Sequence, residues 1–423
     1  MSLSQDMCEQ DDNGQIPTAQ VGSAVPLWRN RDFWLLEGGQ LVSSVGTSVS
    51  LVAFPLLILA LTHSPLQAGL ITGVRGLPYV LLSLPAGALV DRWNRKRLMI
   101  LCDMGRAIAL GSIPVALFLG QLSYLQLYIV SLVEGTLFVF FNSAEAASLP
   151  RVVAKEQITN ATGVDQTLYS GALLLGPSLG GLLYGLARMW PFIADAISYV
   201  VSVISLFFIS REFQEERDRH VITVASLWLD VKEGLAWLWH NPLIRFLAIL
   251  TCGLTTPCYG YILILEVIAQ HQHASAFAIG LIIGAGGIGS VVGAILASPL
   301  EKRFGFRRVI VVSAWIWAIS WLSYALAPTP LWLGIVNAVS FMVVPVYTVM
   351  QYSYRLSIIP DALQGRVNSV FRLISFGGQP LGIWVTGVLL QFVGPFWSVV
   401  LLCIPQLILA FTATFNQSLR AKR

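Results

Sequence analysis

Glu134 stands near the centre of the apolar run Leu125–Ala147, roughly 16 Å from its ends at 1.5 Å per helical residue. A carboxylate at that depth costs several kcal/mol, on the order of 2.5–3.5. Such a group either pairs with a cation or takes up and releases a proton during a work cycle. Arg75, also in mid-run, is the candidate partner. Two readings stay open, a proton carrier and a buried Glu134–Arg75 pair without proton traffic. Glu37, Asp165, Asp195 and Glu266 also fall inside apolar runs and are further proton-site candidates. Asp103 and Arg106, three apart, share a helix face and read as a local ion pair near one surface. Asp195, Ser198 and Tyr199 share another face and read as a hydrogen-bonded cluster.

Gln166, Tyr169, Tyr347, Gln351, Tyr352, Arg372 and Gln379 are polar or amphipathic residues within later runs, and candidates for the wall of a substrate cavity. Loosely specific sites for large apolar compounds favour such aromatic walls. His271 and His273, with His63, are a weak metal signal, and no metal site is expected. No phosphate-binding loop, dinucleotide fingerprint, zinc-protease motif or nucleophile elbow is present, so neither direct use of ATP nor enzymatic chemistry is expected. The energy source expected is a proton gradient, with no cofactor.

The elements that position these residues are membrane helices. The chain has 423 residues, 56% of them hydrophobic and 11% charged, with mean hydropathy +0.72; soluble proteins carry roughly 25% charged residues. Runs of about 20 apolar residues, enough to cross about 30 Å of hydrocarbon, recur twelve times. They are Phe33–Leu61, Leu66–Val90, Leu98–Leu119, Leu125–Ala147, Ile158–Ala187, Phe192–Ile209, Leu243–Ala269, Phe277–Leu300, Val309–Ala327, Leu331–Ile359, Arg366–Phe392 and Phe396–Phe415. Pro85, Pro177, Pro345 and Pro380 are expected to kink their helices. The five cysteines form no CxxC and read as small packing residues. The net charge of +4 concerns orientation, and no nucleic-acid partner is expected. Basic residues gather at alternate loops (Arg92, Arg95, Lys96 and Arg97; Arg151 and Lys155; Lys302, Arg303, Arg307 and Arg308), which places both termini in the cytoplasm.

The division expected is a disordered cytoplasmic tail at 1–28, a six-helix half at 29–210, a cytoplasmic linker at 211–241, a second six-helix half at 242–415 and a cytoplasmic C-terminus at 416–423. The two halves echo each other: G-A-L-V-D-R-W-N-R-K-R after span two matches A-S-P-L-E-K-R-F-G-F-R-R after span eight. The fold class is therefore an all-α membrane protein of two pseudo-symmetric halves, with a site near the midplane between them.

Three segments resemble the major facilitator superfamily, and within it the bacterial drug and siderophore exporters, the group that includes macrolide efflux proteins and the enterobactin exporter. Gly87-x-Leu89-x-Asp91-Arg92, followed by Arg95, Lys96 and Arg97, resembles the signature loop. Gly176-Pro177-x-x-Gly180-Gly181 resembles the antiporter-associated helix, and Pro360 to Ser369 the start of span eleven. The resemblance implies a conformational latch in which Asp91 faces Gln364 and Gly365 at a helix N-terminus, with Arg92 or Arg95 paired to Glu145. Where the loop usually has glycine this chain has Asn94, which tolerates a left-handed turn, and Lys302 stands where Asp91 would repeat. The implied activity is export of a hydrophobic drug, macrolide or siderophore in exchange for protons, by a monomer in the lipid bilayer of a bacterial inner membrane. Import or facilitated diffusion of a small metabolite or lipid is the alternative.

Overall fold

A computed structural model describes residues 26–90, 92–210, 213, 224–360 and 363–416. The remaining residues, with them most of the expected tail, Asp91, the charged stretch of the linker and the C-terminal residues from 417, lie outside the described residues.

Helices α1 (Arg31–Thr62), α2 (Pro65–Val74), α3 (Leu77–Val90), α4 (Arg95–Phe118), α5 (Tyr124–Val152), α6 (Ile158–Leu186) and α7 (Trp190–Phe207) form the first set. Helix α8 (Val224–His240) leads to α9 (Pro242–Cys258), α10 (Tyr261–His271), α11 (Ala276–Ala325), α12 (Pro330–Ile358), α13 (Gln364–Gly377) and α14 (Gln379–Phe415). Many starts are written in the sequence: the side chains of Asn30, Ser64, Asn94, Ser123, Asn241, Ser275 and Thr329 each accept a bond from the backbone N–H three residues on. Asn94 is thus extended (φ −65°, ψ 109°) and caps α4, rather than supplying the left-handed turn expected of it.

Helices α11 and α14 each contain a reversal. Gly305 and Gly394 have φ of +75° and +78°, a conformation open to glycine. Asn337 bonds to both Ile282 and Tyr324, residues at the two ends of α11, which a straight helix would hold roughly 60 Å apart. With α2–α3, α9–α10, and α13 together with the first part of α14, as interrupted single passes, and α8 lying outside the passes, the described residues make twelve passes.

The interruptions fall at Arg75–Gly76, Tyr259–Gly260 and Gly378. Pro78 and Pro380, just beyond two of them, lack the N–H that would continue the ladder. Pro85, Pro177 and Pro345 stay inside continuous helices. The carbonyl of Ser375, freed at the third break, accepts from Thr255 Oγ1 at 3.0 Å and from Tyr259 Oη at 3.4 Å, so neighbouring side chains replace the lost bond.

The two sets meet most closely on the side opposite the termini. A Cβ on Gly69 (α2) would lie 2.8 Å from the Gly387 Cα of α14, and one on Gly181 (α6) 2.9 Å from the Gly280 Cα of α11. Ser64 Oγ donates to Gln391 Oε1 at 2.7 Å, and Trp384 Nε1 to the Leu70 carbonyl at 3.2 Å. Towards the termini side the polar face of α6, with Thr162, Gln166, Thr167 and Tyr169, is exposed. Helix α8 packs on the start of α13, where Glu233 forms an ion pair with Arg366.

Candidate functional site: a buried charge network

Five helices of the first set converge on Glu134, which is 2% exposed. Arg75, at the break between α2 and α3, holds it with two nitrogens: Nε on Oε2, and Nη2 on Oε1 at 2.6 Å. Gly135 allows this approach, because a Cβ there would collide with the Arg75 carbonyl. Arg106 of α4 reaches the same carboxylate, Nη2 to Oε1 at 3.3 Å, and holds Asp103 through Nη1 at 3.4 Å. Its guanidinium lies 4.1 Å from the ring centroid of Tyr199 on α7. Tyr199 Oη sits 2.9 Å from Thr47 Oγ1 of α1 and 3.5 Å from Glu134 Oε1. Asp195, fully buried one turn earlier on α7, accepts from Ser198 Oγ at 3.3 Å and lies within electrostatic reach of Arg106. Two guanidiniums and three carboxyl groups therefore share one buried cluster, which holds one more acid than base. Ser50, Phe54, Arg75, Leu110, Val130, Ser131 and Glu134 line a small cavity beside it.

The structure thus brings Glu134 and Arg75 together as the sequence suggests. The Asp103–Arg106 pair also forms as a local i,i+3 pair, but it is not superficial and does not stand alone. Arg106 lies eleven residues into α4, about 16 Å deep, and ties Asp103 to Glu134. The 3.6 periodicity puts Asp103 and Arg106 on one face but does not say which helix that face meets.

A second carboxyl group of residues lies nearer the termini side. Glu37, Glu145 and Asp165 each stand six or seven residues from that end of α1, α5 and α6, about 10 Å deep. Glu37 is buried, with Oε2 unpartnered among the described residues and both other acids within electrostatic reach.

The glycine motif of α6 divides its work. Gly176 and Gly180 pack on Ser48 and Val49 of α1, within the first set, while Gly181 and the Pro177 carbonyl meet Gly280 across the sets. The glycines of α11 divide likewise. Gly286, Gly289 and Gly293 pack on α12, whereas Gly280, Gly284 and Gly287 face Pro177, Ser178 and Leu174 of α6.

Of the candidate wall residues, Gln166, Tyr169, Tyr352 and Arg372 are exposed and Gln379 is half-buried. Tyr347 does not line a cavity: it is 1% exposed, its hydroxyl 2.8 Å from Thr251 Oγ1 and its ring edge-on to Trp317. Gln351 is buried too. One helical turn separates Tyr347 from Gln351, and both face the core of the second set, whereas Tyr352 points off that face.

Around the signature loop, Gly87, Arg92 and Gly365 are exposed and Gln364 is half-buried; Asp91 lies outside the described residues. The expected Arg95–Glu145 ion pair is not formed among the described residues. Arg95 Nη1 instead donates to the carbonyls of Ala147 (2.8 Å) and Phe213 (3.3 Å), which sit closer to the start of α4. His63 and His273 both have positive φ and turn the chain after α1 and α10.

Comparison with known proteins places this architecture. The chain is 27% identical over 396 residues to the multidrug efflux pump Tap of Mycolicibacterium fortuitum, covering 90% of this chain and 94% of that one. It is 24% identical over 376 residues to the enterobactin exporter EntS of Salmonella typhi, covering 85% and 89%. The crystal structure of a mutant of the nucleoside transporter NupG superposes with a TM-score of 0.77 at 12% identity, over 91% of this chain and 99% of that one, a likeness of fold. The sequence profile of transmembrane secretion effectors matches residues 22–422, and the chain belongs to that family of multi-pass major facilitator transporters.

Proposed function

We propose that this transporter exports a hydrophobic or amphipathic compound, of the drug, macrolide or siderophore kind, in exchange for protons. Its setting is a bacterial inner membrane with both termini in the cytoplasm, in keeping with the basic residues of the alternate loops. The observation that carries the proton coupling is the cluster at Glu134, where three carboxyl groups share two guanidiniums within hydrocarbon depth. A surplus acid there can hold a proton without leaving a net charge buried. Loss of that proton redistributes Arg75 and Arg106, which link the broken helix α2–α3 to α4, α5 and α7, so protonation bears on how the first set packs. Glu37, Asp165 and Asp195 are the other proton-coupling groups in this reading. Relatives named as a multidrug efflux pump and an enterobactin exporter support export over import. In the outward-facing state Gly87, Asp91, Arg92 and Arg95 would latch against Gln364 and Gly365, with Glu145 behind them. In the arrangement seen, closed opposite the termini, the exposed face of α6 with Gln166 and Tyr169 would receive substrate from the cytoplasm.

The test is transport into inverted membrane vesicles of a panel of dyes, macrolides and siderophores, comparing the native protein with Glu134→Gln. Uptake that needs an imposed proton gradient, and falls at least tenfold in the variant, is expected. Gradient-driven uptake unchanged by Glu134→Gln removes that residue from coupling, and uptake by right-side-out vesicles instead makes the protein an importer.

A further inference from the structure

The second set of helices carries a buried cation with no anion paired to it among the described residues. Arg355, in the last turn of α12, is 3% exposed. Its Nε and Nη1 have no partner among the described residues. Its guanidinium lies 3.6 Å from the ring centroid of Phe371 on α13 and 5.5 Å from that of Tyr352. Arg372, next to Phe371, is exposed, makes no ion pair among the described residues and lies within electrostatic reach of Arg355. Neither described acid of residues 242–415 serves them: Glu266 is on α10 and Glu301 on α11, and neither is paired to an arginine among the described residues; Asp361 lies outside the described residues.

An arginine cannot shed its charge. Aromatic faces and the C-terminal end of α12 offset part of the cost of burying it. Arg372, adjacent in sequence to the Phe371 that Arg355 stacks on, adds a second positive charge to the neighbourhood. Buried charges are otherwise paired, and the planar fork of arginine suits a carboxylate or phosphate. Gln351 adds a buried, unpartnered Oε1 one turn from Arg355, and Tyr352, 47% exposed, an aromatic face at the same level. The first set shows the opposite bias, with Glu37, Glu145 and Asp165 on its termini side.

We infer that Arg355 and Arg372, flanked by Tyr352 and Phe371, form a binding site on the second set for the anionic group of an amphipathic ligand, a carboxylate or phosphate attached to an aromatic or acyl body. The inference rests on the transporter reading above and names the class of compound its second wall accepts. The anion belongs either to the exported compound or to a lipid headgroup of the adjoining leaflet; the recognition chemistry is the same.

The test uses the full chain in phosphatidylcholine nanodiscs, with calorimetric titration of 2-naphthoate and of its neutral counterpart 2-naphthamide. Naphthoate is expected to bind at least tenfold more tightly. Arg372→Gln, at an exposed position, and Arg355→Gln should bring that ratio close to one by weakening naphthoate while leaving the amide unchanged. Phosphatidylglycerol in the discs should weaken naphthoate about tenfold if the headgroup is the occupant, and leave it unchanged if a free anion is. Equal affinities in the native protein, or a ratio unmoved by Arg372→Gln, overturn the site. No gradient is applied, so the outcomes separate: a charge-blind site with gradient-driven transport intact overturns the anion site alone. A charge-selective site without gradient-driven transport overturns the proposed coupling alone.

Discussion

Removing the Tyr199 hydroxyl and removing the Arg106 guanidinium probe the same network at very different cost. Tyr199→Phe forfeits the 2.9 Å contact with Thr47 and the long 3.5 Å one with Glu134, and leaves Glu134 its two arginines. The expected loss of stability is about 1 kcal/mol, the net worth of one ordinary hydrogen bond. Arg106→Gln leaves the buried Asp103 without its cation and Glu134 with Arg75 alone. Breaking a buried pair from one side costs about 3–5 kcal/mol. Thermal unfolding of the purified protein, followed for both variants, should therefore place Tyr199→Phe close to the native protein and Arg106→Gln far below it. Equal midpoints would mean that Arg106 is not holding the network. The Glu134–Arg75 pair was legible in the sequence because both residues are charged in mid-run and can be neutralised only by each other or by another ion. The reach of Arg106 was not. It depends on which helix lies against α4, and that is decided by close approaches such as Gly135 against the Arg75 carbonyl.

Helices were the most legible level, and their interruptions the least. Runs of apolar residues mark the passes, and side-chain caps such as Ser64 and Asn241 mark many starts. Proline alone misplaces the breaks. Pro85, Pro177 and Pro345 are absorbed by continuous helices, whereas α2–α3 parts at Arg75–Gly76, ahead of Pro78. A break persists where a neighbour satisfies the freed backbone, as Thr255 and Tyr259 do for Ser375, and the sequence does not say where that neighbour will be. Glycine seams carry the same lesson, since spacing shows that helices come close but not which helices. The two faces of the α11 seam predict opposite phenotypes. Gly293→Ala would drive a Cβ into the Met342 carbonyl inside the second set, lowering the unfolding temperature while leaving the two sets in the same relation. Gly181→Ala, 2.9 Å from the Gly280 Cα, forces the sets apart on the side opposite the termini. In a background lacking native cysteines, labelling of Ser178→Cys by a membrane-impermeant maleimide added on that side should rise several-fold with Gly181→Ala and stay unchanged with Gly293→Ala. Equal labelling in the two would place the seal elsewhere.

At the scale of the whole molecule, twelve passes in two sets followed from the spacing of apolar runs and the repeated loop, but the state of the molecule did not. The arrangement seen is closed on one side by two crossings, α2 with α14 and α6 with α11, both made where glycine removes the side chain from the contact. Such crossings hold by close packing over a short length. They can part without unfolding either set, as alternation between two accessible states requires. If they must part in every cycle, a covalent tie across them stops transport, and a tie within one set does not. Ser64 and Gln391, joined across the sets at 2.7 Å, are the residues to exchange for cysteine in a background lacking the five native cysteines. The matched control is Gln272 with Ala327, joined at 2.8 Å on the same side but within the second set. Oxidation, or a short bis-thiol reagent, should reduce uptake into vesicles to a few per cent for the first pair, with recovery on reduction where a disulfide has formed. The second pair should cross-link without loss. Transport that survives a complete Ser64–Gln391 tie would show that this crossing stays shut throughout the cycle, and would leave the α6–α11 crossing as the moving part.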